Sequence, residues 1–197
     1  SAYFLSINRT KESIVIDLKR PEGRNVVLDL VRRADIVVEN FRPGVLQRLG
    51  LSYEKLAEIN PGIVLCSISG FGQSGPDAQM PAYDAIVQAL SGILSITGVP
   101  GERPVRTGVP IGDLAGGMFG TIGLLAALCE KRLTGRGRHV DIAMLDSQIA
   151  LLSYLGVYYL VSGEPPGPQG RGHLSIPTYR SFICGDGIDV MVTANTE

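Results

Sequence analysis

The run Ile63-Val64-Leu65-Cys66-Ser67-Ile68-Ser69 decides the fold. It is short, nearly all apolar, and bounded by Pro61-Gly62 before it and Gly70-Phe71-Gly72 after it. A strand of that composition is buried on both faces, as strands are in parallel sheets covered by helices. Upstream, Ser52 reads as the cap of a helix over Tyr53–Asn60. Lys55 at the third helical position leaves no capping box there. Arg42-Pro43-Gly44 turns into a short helix ending near Leu49, and Asp35–Asn40 is a second strand. Pro21-Glu22-Gly23-Arg24 opens a helix through Arg33, with proline at a tolerated first-turn position. Ser13–Leu18 reads as a further strand, reached almost directly from Ser1. This alternation predicts an α/β protein: a Rossmann-like parallel sheet core with flanking helices and right-handed crossovers.

Downstream the pattern changes. Tyr83–Ile96 is an amphipathic helical stretch. Leu114–Arg132 and Val140–Val161 read as long helices joined through Thr134-Gly135-Arg136-Gly137. Residues 162–175 form a Gly/Pro-rich loop, and Tyr179–Cys184 and Ile188–Ala194 flank Gly185-Asp186-Gly187 as a hairpin. The expected organisation is a core over 1–138, a long helix and linker over 139–175, and the start of a smaller second domain over 176–197. The apolar alternation near the end calls for a pairing partner, so the chain reads as a fragment of a longer protein.

Composition narrows the function. With 45% apolar residues, 19% charged residues and a net charge of −1, the chain has a soluble globular composition. It offers no electrostatic basis for binding nucleic acid or an anionic membrane. Cys66, Cys129 and Cys184 lack disulfide or zinc spacing and read as reduced core residues. His139 and His173 make no ligand pair, so no metal site is expected. Without a basic leader segment, a cytoplasmic or organelle-matrix protein (mitochondrial or peroxisomal) is the expectation.

In parallel sheets, ligands bind beyond the carboxyl ends of the strands. Those ends carry Lys19, Asn40-Phe41-Arg42 and Ser69-Gly70-Phe71-Gly72. Asn40, Phe41 and Arg42 combine an amide, an aromatic face and a guanidinium, a set suited to a planar base and a phosphate, although an ordinary turn has the same composition. Gly70–Pro76 lacks the lysine of a phosphate-binding loop and the helix start of a dinucleotide fingerprint. No Ser/His/Asp set can be assembled, which turns attention to carboxylates. Asp113 stands out because it opens an apolar, glycine-rich stretch, Gly112-Asp113-Leu114-Ala115-Gly116-Gly117. Two readings stay open on the residues alone. Asp113 is an N-cap for the helix that follows, or a carboxylate nucleophile in a narrow site that glycines let a bulky substrate approach.

In order and spacing, several segments resemble the class III CoA-transferases, the group of formyl-CoA and carnitine CoA-transferases. They are Asn8-Arg9-Thr10-Lys11, Pro21–Arg24, Asp35–Gly44, Gly50–Tyr53, Asn60-Pro61, Ser69–Pro76, Pro81–Asp84, Gly112-Asp113 and Thr134–Gly137. The resemblance implies that Asp113 is the catalytic aspartate, carrying CoA as an aspartyl thioester between an acyl-CoA and a free carboxylic acid. It places Ile16 and Lys19 at the nucleotide end of CoA, Asn40, Phe41 and Arg48 along it, and Tyr83 and Asp84 beside the reactive end. It also implies that CoA is a substrate with no permanently bound cofactor, that the protein is an interlocked homodimer, and that the whole protein is about twice this length. Two alternatives remain: an α-methylacyl-CoA racemase of the same fold, or a non-catalytic CoA-binding fragment. Tyr83 stands where the racemases carry a histidine, and a phenol exchanges an α-proton poorly at neutral pH.

Overall fold

The computed structural model describes residues 1–194; the last three residues of the expected second domain, 195–197, lie outside them. Three parallel strands form the central sheet: β1 (Ile36–Glu39), β2 (Val64–Ser69) and β3 (His139–Ala143), in the order β1-β2-β3. Helices α1 (Ala2–Ile7) and α2 (Pro21–Val31) precede β1, and α3 (Val45–Arg48) and α4 (Tyr53–Ile59) connect it to β2. Helices α5 (Asp84–Ser91) and α6 (Ile111–Thr134) lead to β3, followed by α7 (Met144–Leu151) and α8 (Tyr154–Ser162). Strands β4 (Tyr179–Ile183) and β5 (Asp189–Thr193) form a separate antiparallel hairpin.

The central strand explains the layers. Side chains alternate along β2. Ile63 and Leu65 point to a core with Val31, Leu46, Leu51 and Leu56 from α2, α3, the loop after α3, and α4. Cys66 and Ile68 point the other way, onto α6. Helix α6 lies close to the sheet because Gly116, Gly120 and Gly123 face it. A Cβ at Gly123 would stand 2.7 Å from Val140 Cγ1, and one at Gly120 would stand 3.3 Å from Ile68 Cδ1. Burial of the Cys66 thiol raises its pKa, with Glu39 and Asp141 adding to the effect.

Helix α6 has the length and hydropathy of a membrane span. Here one face covers the sheet, while Leu114, Met118, Ile122 and Leu125 form an exposed apolar stripe on the other.

Two segments quoted from the sequence, Asn60-Pro61 and Thr134–Gly137, meet at the end of the sheet away from the strands' carboxyl ends. Asn60 Nδ2 donates to the carbonyls of Val31 and Ala34 at 3.0 and 2.9 Å, tying α4 to the end of α2. Gly137 N–H donates to the Pro61 carbonyl at 2.8 Å. A Cβ on Gly137 would fall 1.7 Å from the Ile63 carbonyl oxygen, so the glycine there is a packing requirement.

Several sequence expectations need correction. Residues 13–18 are irregular, with Ile14 and Val15 exposed, because no described strand lies alongside to complete a ladder. The segment just before them, expected to lead straight into a strand, contains α1. The expected helix over Val140–Val161 is three elements. Its start is β3, where His139–Ala143 pairs with β2, and its remainder breaks at Ser153 into α7 and α8, bent by 83°. Tertiary pairing overrides helical pattern at β3, and the positive φ of Ser153 ends α7. Helix α5 stops at Ser91, where Gly92 takes a left-handed conformation, short of the expected Ile96. Cys129 and Cys184 are exposed; of the three cysteines only Cys66 is a core residue.

Candidate active site

The carboxyl ends of β1 and β2 open into a cleft of about 610 Å³. Asn40, Phe41 and Arg42 come from the loop after β1, Ser69 from the end of β2, Tyr83 and Asp84 from the start of α5, and Asp113 from the first turn of α6. Local packing brings these segments together. Asn40 Nδ2 donates to the Ile68 carbonyl at 2.6 Å, fastening the loop after β1 to the end of β2. Gly70 lets the Pro81–Tyr83 segment close in, since a Cβ there would lie 2.1 Å from Ala82 Cβ.

Asp113 does not cap α6. Pro110 is the cap residue, and Asp113 is the third residue of the helix. The capping contact comes from elsewhere: Asp84 Oδ1 accepts the Gly112 N–H at 2.8 Å. The other Asp84 oxygen, Oδ2, accepts a hydrogen bond from Gln88 Nε2 at 2.7 Å. Both Asp84 oxygens are therefore engaged within the protein. The Asp113 carboxylate accepts no hydrogen bond from any described residue and points into the cleft. It is open to solvent on that side, but the protein behind it removes enough hydration to raise its pKa from the ordinary aspartate value. The neighbouring charge of Asp84 raises it further.

Six of the residues singled out in the sequence share this cleft: Asn40, Phe41, Arg42, Tyr83, Asp84 and Asp113. Ile16 lies in a separate groove with Asp17, Arg20 and Gly23. Lys19 sits in the turn before α2, its N–H bonded to Asp17 Oδ1 at 2.9 Å. Arg48 ends α3 with its guanidinium beside Gly44, next to the loop that lines the cleft. Sequence reading missed Arg106, which lines the cleft from the loop before α6, and the buried Gln88 and Gln148 behind it. A glutamine on the apolar face of a short helix was the available signal for the last two.

The two histidines have structural contacts. His139 Nε2 lies 2.9 Å from the buried Ser67 hydroxyl and its ring stacks on Tyr53. His173 stacks on Tyr154 and meets Tyr179 edge-on. Among the described residues no cluster of metal-ligating side chains occurs.

The α/β fold with a parallel three-stranded sheet is the one expected from the sequence, and comparison with known proteins gives it a family. The chain belongs to CoA-transferase family III, whose sequence model matches residues 1–197. It is 44% identical over 195 residues to the succinate–glutarate CoA-transferase of Agrobacterium fabrum, covering 99% of this chain and 49% of that protein. It is 41% identical to the human succinyl-CoA:glutarate CoA-transferase, covering 100% of this chain and 45% of that protein. The crystal structure of a CaiB/BaiF family protein from Brucella suis superposes with a TM-score of 0.88 at 40% identity, over 95% of this chain and 50% of that one. The chain thus spans about half the length of the curated relatives it matches.

Proposed function

We propose that this chain is the nucleophile-bearing part of a CoA-transferase that moves CoA from an acyl-CoA to a free carboxylic acid through an aspartyl-CoA thioester on Asp113. The observation that carries the reading is the Asp113 carboxylate, unbonded and partly dehydrated, in a cleft large enough for the reactive end of an acyl-CoA. A carboxylate is a weak nucleophile in water and a stronger one when partly desolvated and held in place.

The steps balance without an added base. An Asp113 oxygen attacks the acyl carbonyl carbon, the C–S bond breaks, and a mixed anhydride and CoA thiolate result. The thiolate attacks the Asp113 carbonyl carbon and expels the donor acid as its carboxylate, leaving the aspartyl-CoA thioester. The acceptor carboxylate attacks that thioester, releasing thiolate and forming a second anhydride. The thiolate then attacks the acceptor's carbonyl carbon, yielding the new acyl-CoA and restoring the Asp113 carboxylate.

Asn40, Phe41 and Arg42 contact the CoA in this reading, with Tyr83 beside the thioester; Ile16, Lys19 and Arg48 extend the contacts toward the nucleotide. Small dicarboxylic acids are the acceptors best supported, since similar proteins are named for succinate, glutarate and oxalate. Arg42 and Arg106 supply cations in the same cleft as Asp113. The assembly is a homodimer in this reading, and the uncovered apolar stripe of α6 supports burial against further protein. Tyr83 in place of a histidine argues against the racemase.

The test is intact-mass analysis of the full-length protein mixed with succinyl-CoA, with peptide mapping and hydroxylamine release. A CoA-sized, hydroxylamine-labile adduct on Asp113 supports the mechanism. A protein that binds acyl-CoA and never forms that adduct overturns it.

A further inference from the structure

Gln88 on α5 and Gln148 on α7 are both 0% exposed. Burying a primary amide among apolar side chains costs stability unless its hydrogen bonds are made. Gln88 makes its bonds to both sides. Its Nε2 donates to Asp84 Oδ2 at 2.7 Å, while its Oε1 accepts the Thr107 N–H at 2.9 Å and the Thr107 hydroxyl at 3.3 Å. Gln148 Oε1 accepts the Ser91 hydroxyl at 2.9 Å, and its Nε2 sits against Gly112, 2.1 Å from where a Cβ would stand. Neither glutamine lines the cleft. Gln88 engages Asp84 at the start of α5, whereas Gln148 meets Ser91 at the end of α5 and Gly112 in the first turn of α6.

We propose, on the reading that Asp113 is the nucleophile of CoA transfer, that Asp84 and Gln88 form a positioning pair. Gln88 orients Asp84, Asp84 holds the Gly112 N–H, and that bond sets the direction in which the Asp113 carboxylate enters the cleft. The first amides of a helix have no partner within it and need one from outside. Here the partner is on a different helix, so the start of α6 is fixed relative to α5. Asp113 is the next residue, and with no hydrogen bond of its own it takes its orientation from this backbone. A nucleophile held by its own donors would be stabilised before it attacked, whereas one aimed by its neighbour's backbone stays reactive. Gln88 also decides which face of Asp84 is available, because its amide is locked by Thr107 with nitrogen toward Asp84. The other charged or titratable groups lining the Asp113 cleft are Tyr3, Arg42, Tyr83 and Arg106. None of them hydrogen-bonds Asp84 or Gly112, so the pair acts on Asp113 independently of them.

The test follows formation of the Asp113 adduct from succinyl-CoA by rapid quench in the full-length protein, across pH, with thermal midpoints measured alongside. Gln88→Leu removes the donor to Asp84. Its adduct-formation rate constant falls roughly tenfold to a hundredfold, the scale of a small misplacement of reacting groups, while the half-saturating acyl-CoA concentration changes less than about twofold. Asp84→Asn sets two amide nitrogens face to face and falls at least as far. The double variant Asp84→Asn/Gln88→Glu restores complementarity, since Asn then donates to Glu while its carbonyl still accepts the Gly112 N–H. It recovers most of the rate lost in Asp84→Asn. A stably folded Gln88→Leu protein with an unchanged rate, or a double variant no faster than Asp84→Asn, overturns the positioning pair while leaving the transferase reading intact. Wild-type protein that binds acyl-CoA without forming the adduct overturns both.

Discussion

Asp84 Oδ1 accepts the backbone N–H of Gly112 at 2.8 Å, joining two residues 28 positions apart. The cap that sequence logic assigns to Asp113 is thus supplied by Asp84, and the Asp113 carboxylate accepts no hydrogen bond from any described residue. A carboxylate without a hydrogen-bond partner among the described residues, beyond the carboxyl ends of parallel strands, is placed as the proposed nucleophile would need.

The raised Asp113 pKa has an effect on stability with a definite sign. Because dehydration and then Asp84 favour the protonated form, folding binds a proton more tightly at this site than the unfolded chain does. The favourable contribution is present below the unfolded carboxylate pKa and is lost as pH rises through the folded value. At neutral pH the ionised group therefore works against folding. Asp113→Asn is expected to abolish the CoA adduct and to raise the thermal midpoint at pH 7, with the difference shrinking toward acid pH. Calorimetry of the two proteins across pH measures it, and a lower midpoint for the variant at pH 7 would contradict the environment described here.

On the proposed reading of Asp113 as nucleophile, the same shift sets where the reaction declines in acid. Attack requires the ionised form, so adduct formation is expected to decline with acidification at a pH above that of an ordinary aspartate. Removing the neighbouring charge with Asp84→Asn moves that limb to lower pH even as it slows the step. Rate–pH profiles of the first half-reaction separate the two effects.

Much of this arrangement is legible in the sequence because it depends on local chemistry. The uniformly apolar run at 63–69 announces a doubly covered strand, Ser52 announces a cap, and its hydroxyl accepts the Lys55 N–H at 3.4 Å. Asn40, Phe41, Arg42, Tyr83 and Asp84 sit at strand and helix ends that parallel topology brings together. Relations between distant segments were not legible. Residues 139–143 become a strand because β2 offers an unpaired edge, and Ser13–Leu18 stays irregular because no described strand offers it one. Gln88 and Gln148 look like interruptions of apolar faces until Asp84 and Ser91 are placed beside them.

The capping serine provides a control on a part of the fold away from the cleft. Ser52→Ala removes the side-chain acceptor at the start of α4. The expected loss is about 0.5–2 kcal/mol of stability, with the rate of adduct formation unchanged. Chemical denaturation and rapid quench on the same variant check both halves.

Two glycines, Gly137 and Gly112, are expected to respond differently to the same substitution. A Cβ at Gly137 meets the Ile63 carbonyl oxygen at 1.7 Å, a backbone atom that cannot move without displacing β2. Gly137→Ala should therefore cost about 1–3 kcal/mol or more, as overpacking does, and should lower the yield of folded protein. A Cβ at Gly112 meets Gln148 Nε2 at 2.1 Å and Asp84 Oδ1 at 3.0 Å, both side-chain atoms. Those side chains can yield, so Gly112→Ala should fold, but with the Asp84 contact disturbed and Asp113 misdirected. Its adduct-formation rate should drop roughly a hundredfold, while Gly137→Ala, assayed per folded molecule, keeps nearly the wild-type rate. Thermal midpoints and quench rates measured on the pair decide whether Gly112 serves the proposed nucleophile Asp113 or only the packing around it.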